Sequence, residues 1–219
     1  MNFITIATPH LGVANHTFID LPTFLKDLIL HNFIGKTGYD LNLSDDELLL
    51  YQMATDKKYL IPLSLFKSRR LYANWEGDFM VPFETAAIEQ KRNIDIINQI
   101  KIPQHPAIIY HIKPENNNDN NNNVKKIKDE ELDVELEEAI MIDEEKKKIM
   151  INKMISSLSP LFEKVYVSFP SPLPLAHNKI AAIERNGILS QFVAKVCGFS
   201  EGQFVMDHLS SLFVTKYKD

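Results

Sequence analysis

Two residues in this chain have the type and setting for proton transfer: Asp78, in Trp75-Glu76-Gly77-Asp78, and His177, in Leu175-Ala176-His177-Asn178. Each is expected to follow a short strand and to sit in a loop, and the carboxylate precedes the imidazole. A carboxylate set against an imidazole fixes its tautomer and stabilises its protonated form, so the ring can take a nucleophile's proton near neutral pH. Acyl transfer through a nucleophile is the chemistry such a pair serves. Two blander readings stay open at this point: an aspartate after a strand is often a turn former, and a loop histidine is often a surface residue.

Acid followed by histidine is the second half of the α/β-hydrolase chain order of nucleophile, acid and histidine. Gly198-Phe199-Ser200-Glu201-Gly202 satisfies the Gly-x-Ser-x-Gly expression. A nucleophile elbow needs a strand before the serine and a helix after it, however, and the residues before Gly198 run on helical spacing. Ser200 also comes after both partners, so it is not expected to be the nucleophile. His10, directly after Pro9, reads as a structural hydrogen-bonding residue. His16, His31, His105 and His111 show no metal-ligand spacing, a single cysteine (Cys197) cannot complete a zinc site, and His208 lies on an apolar helix. No metal and no cofactor is expected.

The elements that must position the pair can be read from periodicity. Phe3 to Thr8 reads as a short buried strand stopped by Pro9. Helical spacing follows over Phe18 to Ile34. Ser44-Asp45-Asp46-Glu47 reads as a capping box for a helix through Leu48, Leu49 and Met53, and a further helical stretch leads to Lys67. Leu71 to Asn74 is a strand that delivers Asp78 to a turn at its C-terminal end, where loops converge in open α/β sheets. Pro106 to Ile112 and Lys164 to Phe169 are two more strands. The second leads into the proline-rich loop that carries His177, and proline rings restrain that loop. Helices over Ile188 to Val196 and Phe204 to Phe213 close the chain.

At 219 residues and 45% hydrophobic, the chain can bury one sizeable core, so one domain with an insertion is expected. Residues 1–113 and 149–219 form its two parts. Between them, over residues 114–148, Pro114 to Asn123 is Asn-rich, offers little to bury and reads as a disordered insertion. Lys125 to Lys148 is densely charged and fits a solvated helix or more disorder, and order returns near Ile149 in a helix ending at Ser159-Pro160. A net charge of -5 without a basic stripe argues against a nucleic-acid partner. One cysteine and no signal peptide or long apolar run fit the cytoplasm, with peripheral contact to a membrane or lipid-droplet surface through an amphipathic Phe18 to Ile34.

"NFITIATPHLGV", "LFKSRRLYANWEGDFMVPFETAAI" and "VYVSFPSPLPLAHNKI" resemble, in that order, three segments of the eukaryotic "putative serine esterase" family of lipase-like α/β-hydrolases. The resemblance implies the C-terminal portion of an α/β-hydrolase fold, a mostly parallel sheet flanked by helices, with a helical cap after the first strand. It implies Asp78 as triad acid, His177 as triad base, and His10 and Gly12 in a turn near the active-site mouth. Lipid or other acyl esters would be the substrates. Family members carry a Gly-His-Ser-Leu-Gly-Gly elbow before the Ala-Thr-Pro-His-Leu-Gly segment, so the nucleophile and both oxyanion donors are expected upstream of Met1. This polypeptide alone is then expected to be inactive. The chain departs from the family at Phe79, where a histidine is usual, and over Pro82 to Ala87. The competing reading is a non-catalytic, degenerate hydrolase that binds a protein partner.

Overall fold

The computed structural model describes residues 1–13, 35–78, 80–95, 108–113, 143–169, 176–181 and 202–214. The expected helices at Phe18 to Ile34 and Ile188 to Val196 lie outside the described residues, as do the Asn-rich segment, the loop 170–175, Phe79 and Ser200. Four strands among the described residues form one sheet: β1 (Asn2–Ile6), β2 (Ser68–Asn74), β3 (Ile108–Ile112) and β4 (Glu163–Val167). Their spatial order is β1-β2-β4-β3. β2 runs parallel to both β1 and β4, whereas β3 lies antiparallel to β4 at the edge. The sheet is therefore mixed, as an α/β layer with one reversed edge strand.

Strand alternation sends side chains to two faces, and each face is closed by helices. Leu71, Ala73 and Tyr166 point to one face. There they meet the helices α2 (Leu49–Thr55), α3 (Lys57–Ser64), α4 (Phe83–Ala87) and α5 (Asp143–Leu158) through Ala54, Leu60, Phe83 and Met154, with Leu43, just after α1 (Gly35–Leu41), in the same cluster. Tyr72, Val165 and Val167 point to the opposite face, against α6 (Ala176–Ile180) and α7 (Gln203–Val214) through Ala176, Ile180 and Val205. Residues 35–64 of the expected cap thus contribute to the core layer. Each large apolar side chain so enclosed stabilises the fold by about 1.5–3 kcal/mol.

Several boundaries differ from the sequence reading. β2 begins at Ser68, three residues earlier than expected, because both of its arginines find partners. Arg69 donates to the carbonyls of Leu161 at 2.8 Å, Ser64 at 2.9 Å and Phe66 at 2.5 Å. Arg70 donates through Nε to Glu163 Oε2 at 2.7 Å and also pairs through Nη2. The box at Ser44 does not form as expected. Asp45 Oδ2 accepts from the amide of Leu49 at 2.8 Å and starts α2, while Ser44 Oγ binds Asn42. α5 starts at Asp143, ahead of Ile149 and inside the charged stretch that fits a solvated helix or disorder, and its Ile151, Met154 and Leu158 are buried.

Candidate active site

β2 and β4 are parallel neighbours, so the chain leaves both at the same edge of the sheet. Successive contacts then hold the two departing segments together. The amide of Trp75 donates to the Val167 carbonyl at 2.7 Å, and Ser168 Oγ donates to Glu76 Oε1 at 3.1 Å. Next, the amide of Ala176, first residue of α6, donates to the Gly77 carbonyl at 3.0 Å. Gly77 has φ +73°, a conformation that glycine adopts without the Cβ penalty. The contact that follows is between Asp78 and His177.

His177 Nδ1 lies 3.1 Å from Asp78 Oδ2. Asp78 is buried, at 2% exposure, while a quarter of the His177 side chain remains exposed. Asp78 Oδ1 accepts the backbone amides of Met80 at 3.0 Å and Val81 at 2.8 Å, and Oδ2 accepts Asn74 Nδ2 at 2.7 Å. An ionised carboxylate only accepts, so the proton of a neutral His177 resides on Nδ1 and its lone pair on Nε2. Among the described residues none bonds to that Nε2. A buried acid orienting a part-exposed imidazole with its far nitrogen open can receive and return a proton.

The sequence placed both residues in loops. The structure brings them together across the strand ends, but with His177 on the second position of the short helix α6 rather than in the loop before it. Sequence reasoning missed Asn74; the signal available was a lone amide at the end of the otherwise apolar Leu71-Tyr72-Ala73 run.

The other histidines serve different ends. The His10 ring contacts β1. Its Nε2 is 3.0 Å from Thr5 Oγ1, and its ring packs 5.7 Å from that of Phe162, in the aromatic group with Phe3. Burial lowers its pKa to about 4, against the weaker opposing influence of the Thr85 and Ala86 backbone, so the ring is neutral at physiological pH. His111 pairs with Glu163 on the face covered by α7. On the same face, the Tyr72 hydroxyl meets His208 Nδ1 at 2.9 Å. Burial pushes the Glu163 carboxyl up, but hydrogen bonds from His111 and Arg70, with their charges, hold it below its ordinary value. Among the described residues no group of three His, Cys, Asp or Glu side chains is placed to hold a metal, and no helix is long and apolar enough to cross a membrane.

The order of strands, the acid and histidine at one sheet edge, and the Thr-Pro-His-Leu-Gly turn can be set beside known proteins. Residues 1–90 match the family described as "Putative serine esterase (DUF676)". The matched residues include Asp78; His177 lies beyond them. Curated relatives bear matching names. "Putative lipase ROG1" of Saccharomyces cerevisiae is 37% identical over 105 residues, covering 46% of this chain and 15% of that protein. "Putative lipase C4A8.10" of Schizosaccharomyces pombe is 34% identical over 94 residues, covering 40% and 12%. "Putative lipase YDL109C" of Saccharomyces cerevisiae is 36% identical over 92 residues, covering 40% and 13%. The chain thus spans less than a sixth of the length of these relatives. No solved structure matches it.

Proposed function

We propose that Asp78 and His177 are the acid and base of a serine ester hydrolase acting on lipid or other acyl esters, with the nucleophilic serine outside residues 1–219. His177 Nε2 takes the serine hydroxyl proton as the oxygen attacks the ester carbonyl carbon. Asp78 stabilises the imidazolium that results, and the ring returns the proton to the departing alkoxide, which leaves as the alcohol. Water then repeats the cycle on the acyl-serine and releases the acid. The observation that carries this reading is the 3.1 Å contact between His177 Nδ1 and a carboxylate buried and held by three further donors.

The reading separates two proteins. Residues 1–219 by themselves are expected to resist a fluorophosphonate probe, because the pair has no serine to activate. The same residues joined behind a segment that carries the Gly-His-Ser-Leu-Gly-Gly elbow are expected to be labelled. Labelling of the 219-residue chain that disappears in Ser200→Ala would move the nucleophile to Ser200 and refute the assignment. A fused protein that folds, remains unlabelled and retains a protein partner would favour the non-catalytic interaction protein instead.

A further inference from the structure

Asp78 uses all the acceptor positions its carboxylate offers in this setting, and one of its partners is not a backbone group. Asn74 is the last residue of β2, is 1% exposed, and directs Nδ2 at Asp78 Oδ2 over 2.7 Å. That oxygen is the one that meets His177 Nδ1. The amide can take only this orientation, since a carboxylate cannot donate to an amide oxygen. Among the described residues its own Oδ1 is left buried without a hydrogen-bond partner. Burying an unpaired acceptor is unfavourable, so packing alone does not account for an amide here, where an apolar residue would fill the strand position without that cost.

We infer that Asn74 is a positioning residue that acts on His177 through Asp78, an inference that rests on the acid–base reading of the pair. The two backbone amides hold Oδ1 alone, which leaves the carboxylate free to swing about that anchored oxygen. Asn74 holds the second oxygen at the point where Nδ1 donates. Without it, Oδ2 rotates or takes up water, the Nδ1–H to carboxylate bond loses its fixed geometry, and the imidazole is no longer confined to the tautomer with Nε2 open.

The test is the tautomer of His177 in the 219-residue chain labelled with 15N-histidine, read from its ring nitrogen shifts at a pH where the ring is neutral. The unaltered chain is expected to hold the Nδ1-protonated form, and Asn74→Ala to raise the Nε2-protonated fraction at least about threefold. Asp78→Asn serves as the reference. A folded Asn74→Ala chain with the original tautomer, while Asp78→Asn shifts it, overturns the role of Asn74 and leaves the pair intact. No shift in either substitution overturns the pair itself. If Asn74→Ala does not fold, the unaltered chain still decides. The Asn74 side-chain amide protons are expected to move with the protonation of His177, and an amide signal indifferent to that titration refutes the inference.

Discussion

Gly12 and Gly77 share one backbone angle, φ +73°, and replacing each by alanine separates torsional strain from steric overlap. The left-handed region costs an L-residue about 1–2 kcal/mol. Restricting the unfolded chain returns about 0.4–1 kcal/mol. At Gly77 the new Cβ would meet only the Cβ of Ala176, at 3.7 Å, an ordinary contact. Gly77→Ala is therefore expected to cost about 1 kcal/mol. At Gly12 the Cβ would stand 2.2 Å from the Leu41 carbonyl oxygen and 3.2 Å from Leu50 Cδ2. That carbonyl accepts the amide of Val13 at 2.8 Å, so it cannot retreat without disturbing the bond. Overpacking of this kind adds about 1–3 kcal/mol, for a total of about 3 kcal/mol. With a urea slope of about 2 kcal/mol per molar, the unfolding midpoint should fall by about 0.5 M for Gly77→Ala and about 1.5 M for Gly12→Ala. Equal shifts, or a larger one at Gly77, would refute the steric argument.

Glu163→Leu strands the Arg70 guanidinium in the core and is expected to destabilise by about 3–5 kcal/mol in urea unfolding. Adding Arg70→Met should recover most of that loss, and a double substitution as unstable as the single one would contradict a buried ion pair. His10 carries a pKa lowered from 6.5 to about 4, so the folded state binds its proton later than the unfolded state. Its contribution of about 3 kcal/mol is complete above about pH 6.5 and is lost as the pH falls toward 4. Proton NMR should show the His10 ring still neutral at pH 5.5; a midpoint near 6.5 would remove the proposed burial effect.

What the sequence disclosed here is local chemistry. Alternation and β-branching located β1, β3 and β4, and Pro9 marked where β1 gives way. The meeting of Asp78 with His177 could be anticipated because each follows a strand end, where open sheets gather their loops. The start of β2 was not, since Arg70 becomes a tolerable strand residue only through Glu163, 93 positions later, and no local pattern encodes that partner. The reversed edge strand is equally non-local: Ile108 to Ile112 has the same composition whichever way it runs. The helix bearing His177 is five residues long and begins at an amide bonded to Gly77, so propensity gave no sign of it. Asn74 escaped notice because an amide in a strand has meaning only beside the carboxylate it holds.

Ester turnover by the fused protein compares the pair directly with its absence. With a short-chain nitrophenyl ester, His177→Ala is expected to lower kcat by about six orders of magnitude while leaving KM nearly unchanged, because the imidazole acts on the reacting proton rather than on substrate binding. A folded His177→Ala protein that turns over ester at the unaltered rate would contradict the assignment of His177 as the base.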